Sequence, residues 1–442
     1  MGTTRGETFR RGDDGYEAAR RAAAWNQRLA ARYPDLIVQA NDVYDVVRAV
    51  RLAKQQGLRI GVRSGGHSWA ANHVRDGGLL LDVSRLNEVT IDKQRMLATS
   101  GPGRAGHELA ALLARQRLFF PAGHCRGVAV GGYLLQGGYG WHSRVLGPAC
   151  MSVEALDIVT ADGELVHASQ RENAELYWAA RGAGPGFFGV VTRFHLRVYP
   201  RPRVIGIAAQ TFSSDMFEKV FRWLHQIGPE VPGGIELQAL MSRDTFGVRG
   251  AGITVVAPVF ASSWSEAWRW LSFFNKGPLR RKARRSIPFI PGMRAMYYGV
   301  SSHYPDGHRY AVDNMWTSAS IDELLPGVMR IAETLPPAPS HMLWMNWAPP
   351  SDRPDMAYSM EDDIYLALYS VWKNAADDAQ FDAWPVERMR EMETLASGCQ
   401  LADENLAQRP ARFVSDENLA RLDRARATFD PEGRFHAWMG RP

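Results

Sequence analysis

Two glycine-flanked stretches constrain this 442-residue chain more than anything else in it: Arg63-Ser64-Gly65-Gly66-His67-Ser68, and Gly123-His124-Cys125-Arg126-Gly127-Val128 with the run behind it. Paired glycines let successive backbone N–H groups turn toward one point, so the first loop can cradle phosphate oxygens without a lysine, with Arg63 adding charge and Ser64 a hydroxyl. In the second, Gly131, Gly132, Gly137, Gly138, Gly140 and Gly147 fall within seventeen residues. So dense a set lays backbone against a flat ligand or against other backbone. A histidine and a cysteine, each beside such glycines, point to two side chains reaching one flat, phosphate-bearing cofactor, a flavin.

The rest of the composition excludes more than it selects. A net charge of +5 spread over the chain is weak, and the densest basic stretch, Lys276 to Arg285, lacks the glycine and aromatic pattern of a nucleic-acid module. It reads as solvated surface. Cys125, Cys150 and Cys399 form an odd set with no CxxC spacing, which argues against a disulfide framework. Twelve histidines include no HExxH or comparable ligand spacing, so no metal is expected. The charged opening from Met1 to Arg32 has no apolar core of signal-peptide type, and no apolar run approaches the ~20 residues that span a bilayer. A cytoplasmic protein without membrane contact is the expectation.

Periodicity gives a helix from Tyr16 to Arg32, a strand at Asp35–Ala40, a helix from Val43 to Gln56 closed by Gly57, and a strand at Leu58–Arg63 leading into the first motif. Strands follow at Gly78–Val83 and Met96–Thr99, a helix at Gly106–Gln116, a hairpin around Ala161-Asp162-Gly163 and a strand at Val190–Val198. Irregular connections argue against a doubly wound dinucleotide fold. Gly182 to Phe187 approximates GxGxxG but follows a helix and contains Pro185, so it is no nicotinamide site. After Tyr199-Pro200-Arg201-Pro202 the texture changes. Five β-like runs, Val204–Phe212, Gly234–Ser242, Gly252–Phe260, Met342–Trp347 and Ile364–Trp372, alternate with helices at Phe217–Ile227, Trp264–Phe274, Ile321–Thr334 and Phe381–Ala396. This is an α+β chain with an antiparallel sheet covered by helices.

These motifs resemble the berberine-bridge-enzyme-like branch of the vanillyl-alcohol-oxidase flavoproteins, which carry a PCMH-type FAD-binding domain. The resemblance implies FAD bound through residues 1–200 and a C-terminal return over 399–442, with 201–398 binding substrate. It implies flavin bonded to His67 at the 8α-methyl and to Cys125 at C6. Arg63, Ser64, Gly65, Gly66, Ser68, Gly123, Gly131, Gly132, Gly138, Gly140, Val190 and Phe435 complete the implied cofactor site. Val128 stands where the family places a residue that gates oxygen, and valine there resembles the oxidase members. Ala129 replaces a common glycine.

The family's base, a tyrosine in a Gly-x-Tyr-x-Asn context, is missing: this chain has Gly398-Cys399-Gln400-Leu401-Ala402. Gln400 cannot act as a base. Candidates for that role are Tyr139, His142, and the pair Tyr365 and Tyr369, which share one strand face. Likewise Trp344 and Asn346 share one face of the preceding strand, and Met345 and Trp347 the other; one of these faces looks at the flavin. The implied reaction is hydride abstraction from a CH–OH or CH–NH group of a sugar, alcohol, phenolic or secondary metabolite, with O2 reduced to hydrogen peroxide. A dehydrogenase, an oxidative cyclase and a non-catalytic flavin-holding protein are the alternatives.

Overall fold

The computed structural model describes residues 6–244 and 247–441; the first five residues of the charged opening lie outside it. The chain begins with β1 (Glu7–Arg10), α1 (Tyr16–Ala22), β2 (Leu36–Gln39), α2 (Val43–Gln56), β3 (Ile60–Arg63) and β4 (Leu79–Asp82). These strands lie in the order β1-β2-β4-β3, parallel except for β1 at the edge. Asp42 caps α2 by accepting from the Asp45 amide at 2.8 Å, Gly57 ends it at φ 68°, and Val46, Ala49, Val50 and Ala53 bury one face against the sheet.

The first helix stops at Ala22 rather than Arg32. The residues after it are held by distant partners: Trp25 N–H donates to the Gly66 carbonyl at 2.9 Å, and the Asn26 amide donates to the carbonyls of Trp69 and Tyr310. Tertiary hydrogen bonds override a helical propensity of a few tenths of a kcal/mol per residue.

A second sheet takes β5 (Val89–Asp92) and β6 (Leu97–Ser100). After α3 (Gly106–Arg115), β7 (Leu118–Phe119), α4 (Val130–Leu135) and α5 (Ser143–Leu146), it adds β8 (Val153–Val159) and β9 (Leu165–Ser169), then, beyond α6 (Ala174–Ala179), β10 (Val190–Arg197). Its order is β5-β6-β10-β8-β9, antiparallel throughout. Tyr199–Pro200, β11, pairs with β7.

The remaining chain gives β12 (Val204–Ser213), α7 (Phe217–Ile227), β13 (Gln238–Arg243), β14 (Ala251–Ala261), α8 (Trp264–Trp270), α9 (Ser272–Asn275), β15 (Arg285–Pro291) and α10 (Met293–Ser301). It continues through β16 (Arg309–Thr317), α11 (Ile321–Thr334), β17 (His341–Asn346), β18 (Ile364–Trp372), α12 (Asp378–Glu391) and α13 (Asp416–Phe429). Seven of these strands make one antiparallel sheet, β15-β12-β14-β13-β17-β18-β16. The period of two sorts its faces. Phe212, Ile253, Val255, Trp344, Leu366 and Leu368 pack in one apolar core with Phe221, Leu224, Val328 and Ile331 of α7 and α11. Their neighbours Ile207, Leu240, Val256, Met345, Tyr365 and Tyr369 face the first half of the molecule.

Two strands of this sheet escape the sequence reading, as do the short β1, β5, β7 and β11. β15 carries Pro288 and Pro291, which is tolerated because it is an edge strand. β16 contains Asp313 and Asn314, residues depleted in strands. Both are buried because they have partners: Arg409 donates to the two Asp313 oxygens at 2.6 and 2.7 Å, and Asn314 holds the backbone of Gln400 and Asp403. After α13, Asp430 accepts from the amides of Arg434 and Phe435, and Phe435 bridges Ile60 of β3. The chain end therefore rejoins the first sheet. Arg409 and Asp313 have side chains 4% and 1% exposed. Arg409→Met, which leaves the carboxylate uncompensated, is expected to cost about 3–5 kcal/mol in urea unfolding.

Candidate active site

Between the two halves lies a cavity of about 1100 Å³. One end is walled by residues 60–69, the loop 123–129, Gly131, Gly132, Phe435 and His436; the other by β12, β13, β14, β15, β17, β18 and α10. Gly65 approaches Ala129 so closely that a Cβ on it would lie 2.8 Å from the alanine methyl, and one on Gly66 would lie 2.2 Å from the Ala23 carbonyl. Gly66 also sits at φ 73°, which favours glycine. The amides of Gly65, Gly66 and His67 have no partner among the described residues. They form the kind of anion-seeking nest that the first motif calls for.

The neighbouring polar groups are already engaged. Arg63 donates to both Asp82 oxygens at 2.9 and 2.8 Å, so its guanidinium braces β3 against β4 rather than reaching for phosphate. Ser64 Oγ accepts from the Gly132 amide at 3.2 Å, and the Gly131 amide donates to Pro102. Ser68 Oγ accepts from the Asn72 amide, closing its own loop.

The two motifs meet at Gly127, where a Cβ would lie 2.6 Å from His67 Nε2. His67 stacks on Trp25, centroids 5.0 Å apart. Burial, reinforced by Arg63, lowers its imidazole to about 4, so the ring is neutral with a free lone pair at neutral pH. Cys125 lines the same cavity, whereas Cys150 and Cys399 are buried in the cores. Burial, with the charge of Asp403, pushes the Cys125 thiol up to about 12.

Opposite this end, Tyr365 and Tyr369 both donate to Oδ2 of Asp403, the second at 2.7 Å, while Trp69 Nε1 donates to Oδ1 at 2.6 Å. Asp403 has no ion-pair partner among the described residues. Gln400 caps the short turn Leu401–Asp403 through the Ala402 amide, and Asn314 holds both ends of it. Gln400 thus delivers the carboxylate. Sequence reasoning missed Asp403; an acidic residue three places beyond the substituted tyrosine was the available signal. Tyr304 OH approaches His341 Nε2 at 3.1 Å, and His341 stacks on Tyr369 at 4.7 Å. The His341 Nδ1 faces the Pro339 carbonyl at 3.0 Å, so Nδ1 carries the proton and Nε2 accepts.

Residues 34–169 match the FAD binding domain family. Over 433 residues, covering 95% of this chain and 94% of the relative, the sequence is 31% identical to the FAD-linked oxidoreductase nodO of Hypoxylon pulicicidum. The xylooligosaccharide oxidase of Thermothelomyces thermophilus is 38% identical, over 41% of this chain and 37% of its own. In fold, the chain superimposes on BBE-like 1 of Physcomitrella patens with a TM-score of 0.85, covering 99% of this chain and 97% of that one at 20% identity. The chain belongs to the FAD-linked oxidoreductases.

Not every residue expected in this oxidoreductase's site is there. His142 does not line the cavity: its ring stacks on Phe260 of β14 at 4.8 Å, and its amide donates to Glu236, itself held by His124. Gly138 and Gly140 are packing glycines, with Cβ positions 2.9 Å from Tyr133 Cε1 and 2.2 Å from Tyr133 OH. Val190 is buried in the core beneath the first sheet. Gly123, Val128 and Phe435 do line the cavity, and so does Tyr139. Tyr139 is tied to Tyr358 and to Glu361, whose carboxylate also accepts from Trp347 and pairs with Arg353. Of the two faces of β17, the one bearing Met345 looks into the cavity. Trp344 packs on Phe221 at 5.4 Å, and Asn346 donates to the Leu224 carbonyl.

Burial also lowers His73, His341 and His436 to about 3 and His142 to about 4. An unfolded imidazole titrates near ~6.5. Between that value and the folded ones the unfolded chain binds more protons, so this stability is complete above about pH 6.5 and is lost as pH falls toward 4. Calorimetric Tm is expected to decline progressively over pH 7 to 4; a flat profile would contradict the neutral burial of these rings.

Proposed function

We propose that this FAD-linked oxidoreductase is an oxidase acting on a CH–OH or CH–NH group of a largely apolar small molecule, with flavin attached through both His67 and Cys125. Residues 1–200 and 399–442 form its FAD-binding part and 201–398 its substrate-binding part. The observation that carries the reading is the convergence of the Tyr365 and Tyr369 hydroxyls on Asp403, in the cavity that also holds His67 and Cys125. When bound, the flavin supplies the hydride acceptor and passes electron pairs to O2, giving hydrogen peroxide. The free amides of Gly65, Gly66 and His67 and the close approach of Gly65 to Ala129 fit such a group.

The protein's own residues handle the proton. As substrate loses hydride its O–H or N–H becomes acidic. Tyr365 accepts that proton while its own passes to Asp403. Burial, with the Asp403 charge next, raises both tyrosines well above their usual range, so they relay protons as neutral phenols rather than ionise. Trp69 fixes the carboxylate from the other side. Tyr139 is a poorer base, because the Glu361 it donates to is paired with Arg353.

The apolar substrate follows from the sheet face on which these tyrosines stand. Ile207, Leu240, Val256, Ile287, Leu343 and Met345 offer no partners for sugar hydroxyls, with Thr211, Gln238, Thr254 and Arg285 as the polar side chains of the same strands, and the sequence likeness to an oligosaccharide oxidase covers less than half the chain. Val128 lies in the cavity beside Cys125, which supports oxidase over dehydrogenase.

Three measurements test this. Acid-precipitated protein should stay yellow, with flavin mass on peptides holding His67 and Cys125; a colourless pellet rejects the attachment. Apolar alcohols and cyclic amines should bleach the flavin anaerobically, and Asp403→Asn should slow that bleaching by roughly 10²–10⁴-fold. Turnover without oxygen uptake favours the dehydrogenase instead.

A further inference from the structure

On the second sheet, away from the cavity, three side chains with metal-ligating atoms converge: Asp157 on β8, His167 on β9 and His195 on β10. The strand register brings them together. Asp157 lies directly opposite His167, and on its other side opposite Arg193, the residue one side-chain repeat from His195. Leu156, Ile158, Phe194 and Leu196 are buried on the core face, so the pleat turns Asp157 and His195 outward. Phe194 lines the flavin cavity; His195 stands on the opposite face of the same strand.

His167 Nδ1 lies 2.9 Å and His195 Nε2 3.3 Å from the same oxygen, Asp157 Oδ1. All three ligand atoms lie within 4.8 Å of one another. Nitrogen and oxygen ligands bound tetrahedrally to zinc at about 2.0–2.2 Å stand roughly 3.3–3.5 Å apart, so the two legs to Asp157 need shift by at most about half an ångström, and the leg between the imidazoles, within 4.8 Å, settles to the same spacing around an ion. Neither nitrogen has another partner among the described residues. The backbones beneath are pinned: Thr192 Oγ1 donates to the Asp157 carbonyl at 3.1 Å, and Asn173 Nδ2 donates to the His167 carbonyl at 2.7 Å. Arg197 is paired with Glu154, which leaves Arg193 as the adjacent cation.

We propose that Asp157, His167 and His195 bind one Zn²⁺ through two imidazole nitrogens and one carboxylate oxygen. Water fills the fourth position on the exposed side, and the ion clamps β9, β8 and β10 together. Two imidazoles and one carboxylate suit zinc rather than magnesium or calcium, which take oxygen ligands. Facing away from the cavity, the ion serves the sheet and takes no part in the oxidation.

Untagged holoenzyme, stripped with a chelator and dialysed, should take up one Zn²⁺ per chain by calorimetric titration, undisturbed by millimolar Mg²⁺, with a rise in Tm. His167→Ala and His195→Ala, which truncate outward-facing side chains, should each weaken binding by at least about tenfold and abolish the Tm rise. Flavin absorbance and thermal unfolding without zinc should match the wild type, showing that both variants fold. Absence of saturable binding in the wild type, or equal binding by the doubly substituted chain, would overturn the assignment.

Discussion

One carboxylate joins the parts of this molecule that must stay in register. Asp403 comes from the C-terminal return, Trp69 from the loop carrying His67, and Tyr365 and Tyr369 from the large sheet; all three donors close on its two oxygens. A hydrogen bond to a charged group contributes about 1.5–3 kcal/mol. Geometry is the larger consequence. Because Trp69 lies two residues past His67, the bond that orients the proposed proton acceptor also positions the loop proposed to hold the flavin. Arg409 and Asp313 repeat the theme one layer deeper, tying the return to β16 through a buried ion pair.

The seven-stranded sheet divides labour by parity alone. On β18, Leu366 and Leu368 must meet the helices, so Tyr365 and Tyr369 must meet the cavity. A one-residue slip would exchange phenols for leucines and leave Asp403 with Trp69 but without its two phenol donors. The aliphatic core under the helices thereby fixes which polar groups reach the substrate.

That parity was legible in the sequence, and so were the two glycine motifs, because each depends on local spacing. What escaped depends on distant partners. The helix expected through Arg32 ends at Ala22 because Trp25 and Asn26 bond to Gly66, Trp69 and Tyr310. β16 reads poorly as a strand until Arg409 and the return neutralise Asp313 and Asn314. His142 sits beside the glycine cluster in sequence, yet its positive φ turns the ring onto Phe260. Asp403 was hidden for the same reason: its place three residues past Gln400 marks an acidic residue there, but the convergence of two tyrosines and a tryptophan on it depends on distant strands and loops.

The cavity offers two tyrosine–carboxylate pairs, and their surroundings separate them. Trp316 stands between, its ring 5.1 Å from Tyr139 and 4.9 Å from Tyr365. Glu361 is paired with Arg353, and protonating it would strand that guanidinium without its counter-charge. Among the described residues Asp403 is held only by neutral donors, two phenols and an indole. A proton arriving there meets no cation that it would unpair, and the phenol that delivers it can take the next one from substrate. The pair built from neutral partners can therefore cycle through turnover, while the pair anchored by arginine holds its wall of the cavity in place.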